Sequence, residues 1–353
     1  GAARRRRPPA RTSRGLAWTT RAGRTERAKV QLYSLCYATY RRTFNSPALR
    51  QHRFARCGTG RYVNWRCAMP ARASMRAVVG AALAVSALGA AASPCAGPVE
   101  ITLAGQKAEW NIAVSGGDAS RVATHGGSMT MQYGARAYLT DTCSGSAIAP
   151  GFFANKLKLL GKTLSYTVDL AADPSHPVGC ACNAAFYMTE MPAIGSDQKP
   201  VGGGAGDFYC DANDVGGEWC VEMDIMEANT AAMSVTPHKC DAPTGHHYTK
   251  CDKGGCSVNT YKESPKNFGP GSNHTINSLQ PFSVSTSFGA GTAADKPALT
   301  NVTTVLSQAG RSFVLHHTDA KCGAKYLESM TDAFQDGMVV IFGAYKQQPS
   351  RKV

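Results

Sequence analysis

The run VEMDIMEAN (221–229) sets three acids, Glu222, Asp224 and Glu227, among Val, Met and Ile rather than in a solvated run of charges. In an extended strand, side chains alternate faces, so Glu222 and Asp224 share one face and Glu227, five positions on, points to the other. A helix would splay all three, its residues stepping about 100° each. A strand with a bulge between Ile225 and Glu227 returns the third acid to the face of the first two, and bulges are common beside active sites. Such a strand presents two carboxyls across one substrate bond with a third between them. That arrangement suits hydrolysis of a glycosidic bond with retention, which uses an ionised nucleophile and a protonated acid about 5–5.5 Å apart. Three neighbouring acids cannot all be ionised cheaply, so one must be pushed upward and a proton shared. Taken alone, E-x-D-x-x-E also fits surface acids on an edge strand paired with lysines.

The elements that must position this strand read as short strands and loops from about Ser93 onward. KLKLLGKTLSYTVDL (156–170) alternates in part, and ACNAAFYMTEM (181–191) and GMVVIFGAY (337–345) are short apolar runs between Gly and Pro clusters. Helical periodicity of useful length and βα alternation are both absent from the pattern, which favours an all-β antiparallel sandwich of two curved sheets. The stretches 192–218 and 241–275 are longer than ordinary connections, and loops of that length in a compact domain tend to carry function.

Charge divides the chain. The 353 residues carry a net charge of +14, yet residues 1–74 hold 18 basic side chains against the single acid Glu26, and 75–353 hold 20 basic against 23 acidic. The basicity belongs to one end, so a globally basic nucleic-acid binder is excluded for the remainder. The Arg-rich segment 1–74 lacks an apolar period that could build a core face and is expected to be disordered, as sequence lying upstream of a start at Met75. An organelle transit peptide is the rival reading of its composition. Residues 75–92 have a charged start, an apolar run and an Ala-Ala-Ala close, the pattern of a secretory signal peptide. A run this short and Ala-rich spans a bilayer of about 30 Å poorly, so no membrane association is expected after cleavage.

Of 13 cysteines, ten lie beyond the signal, an even number that reads as disulfides in a secreted chain. Structural zinc would call for repeated C-x2-C pairs, and the spacings here are C-x-C, C-x9-C and C-x4-C. No metal and no cofactor are therefore expected. Two sequons, Asn273-His274-Thr275 and Asn301-Val302-Thr303, agree with secretion.

GEWCVEMDIMEAN (217–229), preceded by DFYCD (207–211) and followed by TPHKC (236–240) and NFGPGS (267–272), resembles glycoside hydrolase family seven, the cellulases that include cellobiohydrolases and endoglucanases. Further similarity at YGARAYL (133–139), CACNAAFYMTEM (180–191), CDKGGCSVNTY (251–261) and GMVVIFGAY extends it over most of 130–345. The resemblance implies a concanavalin-like jelly-roll sandwich, residues 93–353, with a long cleft across its concave sheet. It further implies a secreted, monomeric enzyme acting on a β-1,4-glucan by double displacement. Glu222 would be nucleophile, Glu227 general acid/base and Asp224 the carboxyl hydrogen-bonding between them. Asp211 and Tyr209 of the YCD motif, His238 of TPH, Asn183, Tyr187 and Tyr345 would line the substrate site. The implied bridges are Cys210–Cys220, Cys240–Cys251 and Cys256–Cys322, with Cys95, Cys143, Cys180 and Cys182 left to pair among themselves or stay free.

The chain also departs from the family. Trp219 and Asp214 stand where it has a bridged Cys pair, Tyr345 where it has Trp, and Lys262 where it has Arg. The end at Val353 suggests C-terminal truncation, and the loops missing relative to the family suggest an open cleft and endo cleavage. The alternative function is an inactive glucan-binding or cell-wall protein on the same scaffold.

Overall fold

The computed structural model describes residues 31–35, 93–172, 177–179, 182–204, 206–293 and 296–346. The signal-like segment 75–92, Cys180 and the last seven residues lie outside them.

In chain order the strands are β1 (Gln31–Leu35), β2 (Cys95–Leu103), β3 (Gln106–Val114), β4 (Val122–His125), β5 (Ser128–Gln132), β6 (Ala135–Thr140), β7 (Thr163–Asp169) and β8 (Cys182–Thr189). There follow β9 (Glu222–Ala228), β10 (Met233–His238), β11 (Val258–Asn259), β12 (Phe268–Gly269), β13 (Ile276–Asn277), β14 (Phe282–Ala293), β15 (Lys296–Gln308), β16 (Arg311–Thr318) and β17 (Val339–Lys346). They form an eight-stranded sheet, β11-β10-β9-β8-β17-β6-β3-β2, a seven-stranded sheet, β16-β15-β14-β7-β1-β5-β4, and a two-stranded pair, β12-β13. All pairings in the eight-stranded sheet are antiparallel.

The expected sandwich is thus present. Its core lies between the sheets, where Ile112, Phe186, Met188, Val340 and Phe342 of one sheet meet Met129, Tyr166, Val284, Phe288 and Leu306 of the other. Phe186 stacks on Phe342 with centroids 5.0 Å apart, and Tyr166 meets Phe186 edge-on at 4.4 Å. Each such ring contributes about 1.5–3 kcal/mol by leaving water.

Alternation explains which strands read clearly. In β14, Phe282, Val284, Thr286 and Phe288 point inward and the residues between them are half-exposed. In β8 and β9 almost every residue is buried, because a second apolar cluster covers their outer face. That cluster joins Tyr138, Phe152, Phe153, Tyr187, Met191, Tyr209 and the Cys210–Cys220 bridge. Strands covered on both sides read as continuous apolar runs, as 181–191 does.

Of the leader expected to be disordered, only Gln31–Leu35 falls among the described residues, and it forms a strand; residues 1–30 and 36–74 lie outside them. Gln31–Leu35 lies parallel to both β5 and β7, in register from Gln31 opposite Ser128 and Thr167. A five-residue extended segment satisfies the backbone edges of two strands at once there, which compensates for the lack of any periodic apolar face in its sequence.

Among the described residues, four bridges brace the loops: Cys95–Cys143, Cys210–Cys220, Cys240–Cys251 and Cys256–Cys322. Trp219 pairs through its backbone with Asp211 on one side and Tyr248 on the other, and Lys253 Nζ lies 4.8 Å from the centre of its ring.

Candidate active site

The three acids sit on β9, and a bulge decides their common direction. Opposite β8, Glu222 pairs with Thr189, Asp224 with Tyr187 and Met226 with Phe186, so Ile225 has no partner. After this extra residue Glu227 pairs with Ala185. Thr189, Tyr187 and Ala185 alternate along β8 and share a face, so the acids opposite them do too. On the other flank, Ser234 and Thr236 pair with Glu227 and Asp224 across the same irregularity.

Burial is uneven along the row. Glu222 and Asp224 are buried, at 6% and 7% exposure, whereas Glu227 is partly open. Ala212 donates its backbone N–H to Glu222 Oε2 at 3.0 Å, and Asn183 Nδ2 donates to Glu227 Oε1 at 2.9 Å. Loss of solvent pushes Glu222 well above the usual carboxylate range, with the charges of Asp224 and Asp211 adding to it. Burial likewise lifts Asp224, reinforced by Glu227 and opposed by a hydrogen bond with Glu222. Burial and mutual repulsion therefore oppose ionising Glu222 and Asp224 together.

His238, at the end of β10, lies opposite Glu222 in register but reaches diagonally, placing Nε2 3.0 Å from Asp224 Oδ2. Its Nδ1 is 2.7 Å from the carbonyl oxygen of Asp252.

The remaining residues singled out from sequence gather on the same sheet and its loops. Tyr187 lies opposite Asp224, and its hydroxyl is 3.1 Å from that of Tyr209. Asp211 is buried beside Glu222 and accepts the backbone N–H groups of Asn213 and Val215 at 2.8 and 3.0 Å, which fixes its turn. Tyr345, partly exposed, is paired with Asn183 across β17 and β8. Its ring lies over Gly343, where a Cβ would come within 2.5 Å of Tyr345 Cε1.

Sequence reasoning did not single out Arg136, Tyr138 or Asp207. Arg136 and Tyr138 share the site face of β6, and a row runs from Arg136 through Gly343 and Ala185 to Glu227. The Arg136 guanidinium stacks 3.6 Å above the Tyr209 ring. Tyr138 and Ser115 each donate a hydroxyl to Asp207 Oδ2 at 2.5 Å. The available signal was the period of two in ARAYLT, which puts Arg, Tyr and Thr on one face of an otherwise apolar strand. Among the described residues no cluster of His, Cys, Asp and Glu could hold a metal ion.

The two-sheet sandwich thus carries an acid triad on a bulged strand of one sheet, flanked by aromatic and amide side chains. Residues 213–351 match the model of glycosyl hydrolase family 7. Endoglucanase EG-1 of Hypocrea jecorina is 30% identical over 259 residues, covering 64% of this chain and 53% of that protein. Endoglucanase EG-1 of Humicola insolens is 32% identical over 203 residues, covering 50% and 44%. The chain thus spans about half the length of the curated relatives it matches. Among solved structures, the Humicola insolens Cel7B glycosynthase mutants align at TM-score 0.50 and 25% identity over 65% of this chain and 67% of theirs. A Daphnia pulex family cellobiohydrolase aligns at TM-score 0.55 and 18% identity, over 74% and 85%, and shares the fold.

Proposed function

We propose that this protein is a secreted, retaining glycoside hydrolase that cleaves internal β-1,4-glucosidic bonds of cellulose or a related β-glucan. The observation that carries the reading is the bulge at Ile225, which turns Glu222, Asp224 and Glu227 onto one face with His238 beside them. The endoglucanase names of the relatives support endo action.

In the reaction Glu222 attacks the anomeric carbon while Glu227 donates its proton to the departing glycosidic oxygen. The glycosyl–Glu222 ester is then hydrolysed by water that Glu227, now a base, deprotonates, so two inversions leave the β configuration. The Ala212 N–H holds Glu222 Oε2, which leaves the other oxygen to attack. Asn183 fixes the Glu227 carboxyl toward the open side of the site. Asp224 hydrogen-bonds Glu222 and exchanges a proton with His238, so charge on the nucleophile can change without ionising both buried acids. Tyr345, the exposed ring of the three tyrosines, offers a face to the C–H face of a glucose unit, while Tyr187 and Tyr209 are buried in the cluster that covers β8 and β9.

Proton NMR of the first-formed sugars from a soluble β-1,4-glucan tests the scheme. The β-anomer is expected from the wild type, and Glu227→Gln should cut turnover by orders of magnitude. An α-anomer, or full activity in that variant, overturns the assignment.

A further inference from the structure

We propose that Gly255, the Asp252 backbone carbonyl and Tyr326 form a positioning device that fixes the ring and tautomer of His238. The inference rests on the function proposed above for its kinetic consequence, and on geometry alone for the tautomer.

A carbonyl oxygen can only accept. The 2.7 Å contact between His238 Nδ1 and the Asp252 oxygen therefore puts a hydrogen on Nδ1. The other nitrogen, 3.0 Å from Asp224 Oδ2, then meets a carboxyl group. Two protonation patterns satisfy that contact: neutral imidazole accepting from protonated Asp224, or imidazolium donating to ionised Asp224. In both, one proton lies between Nε2 and Oδ2. The tautomer with hydrogen on Nε2 alone would set a bare Nδ1 lone pair against the carbonyl lone pairs.

The loop that supplies this carbonyl is built to stay in place. Residues 251–256, CDKGGC, are bracketed by Cys240–Cys251 and Cys256–Cys322, and Cys256 donates its N–H to the Pro237 carbonyl at 3.0 Å. The Tyr326 hydroxyl lies 2.8 Å from Asp252 Oδ2 and 3.2 Å from the Pro237 carbonyl, tying the loop to the residue that precedes His238. Lys239 Nζ sits over the Tyr326 ring, 5.0 Å from its centre.

Gly255 is the tightest part. A Cβ there would lie 2.7 Å from both Cε1 and Nδ1 of His238 and 2.5 Å from Thr236 Cγ2, and its φ of +60° is one that side-chain-bearing residues rarely adopt. The imidazole is thus packed directly against a bare backbone. Gly254, one residue earlier, has φ outside that region, and a Cβ there would meet only Asp252 Oδ1 at an ordinary 3.5 Å.

The experiment uses the full chain, labelled with 15N, and long-range 1H–15N correlation of its histidine rings. The His238 signal is assigned by its loss in His238→Asn. The device predicts hydrogen on Nδ1 of His238 at every pH at which the protein is folded; a ring protonated on Nε2 alone overturns the proposal whether or not the protein hydrolyses glucan. Gly255→Ala should displace the ring, lower kcat by roughly ten- to a hundredfold with little change in KM, and move the acid limb of the pH–rate profile. Tyr326→Phe, which creates no steric overlap, should change the same profile by less. Gly254→Ala should behave as wild type. A Gly255→Ala protein with unchanged profile and tautomer, or a Gly254→Ala protein as impaired as Gly255→Ala, refutes the role of Gly255. A protein with the Nδ1–H tautomer but no glucanase activity would sink the proposed function and leave the device standing.

Discussion

Replacing Glu222 by Gln should abolish turnover and stabilise the fold at neutral pH. In the folded chain Glu222 is 6% exposed and lies beside Asp224 and Asp211, so its carboxyl holds a proton well above the ordinary value of 4.5. The unfolded chain gives that proton up near 4.5. From there upward the unfolded state binds fewer protons than the folded one, so stability falls as pH rises from 4.5 through the folded-state value. Each unit of elevation costs about 1.4 kcal/mol once both states are ionised. For a domain of this size that corresponds to roughly 3–6 °C of melting temperature per unit. Gln keeps the shape and still accepts from the Ala212 N–H, but it carries no charge to desolvate. Differential scanning calorimetry at pH 7 and pH 4.5 should show the variant melting higher at pH 7, with the difference shrinking at pH 4.5. Hydrolysis of a soluble glucan should drop by orders of magnitude in the same preparation. A variant that melts at or below wild type at pH 7, or whose advantage is independent of pH, refutes the claim that an expensively buried carboxyl occupies this position.

Two further outcomes test the scaffold. Cys256→Ser with Cys322→Ser releases a bridge between residues 66 apart in sequence, which by chain entropy costs about 4 kcal/mol and should lower the calorimetric melting temperature by roughly 8–16 °C; an unchanged melting temperature counts against the bridge. Gly343→Ala puts a methyl 2.5 Å from Tyr345 Cε1 and must swing that ring off the sheet, so KM for glucan should rise while the melting temperature changes little; an unaltered KM would mean that the ring does not meet the sugar.

Much of the site is legible in the chain because its logic is local. The acids fall on one strand, so their common face depends only on the period of two and one inserted residue, and the bulge at Ile225 is where the spacing of Glu227 demands it. The strands 181–191 and 337–345 were readable for a similar reason: once covered on both faces, a strand has little choice but to be apolar throughout. KLKLLGKTLSYTVDL was only half readable. Its second part forms β7, while its first part makes a single bridge from Leu157 to Met338 and gives the backbone N–H groups of Leu159 and Leu160 to the Phe334 carbonyl instead of to a neighbouring strand.

What tertiary structure decided are the meetings between residues far apart in sequence. His238 touches Asp224 rather than its partner Glu222 because the side chain crosses the pleat diagonally, a choice made by the Gly255 backbone behind it. Arg136 joins Glu227 in one row only through Gly343 and Ala185, two small residues whose lack of bulk says nothing until β6, β17, β8 and β9 are set side by side. Gln31–Leu35, in a segment whose composition argued against any structure, becomes a strand because β5 and β7 present open backbone edges to it. Sequence by itself determined which groups could do chemistry and which faces they shared along a strand, since those follow from residue type and a fixed local geometry. Register and loop closure determined which groups meet, since backbone pairing is blind to the side chains it brings together.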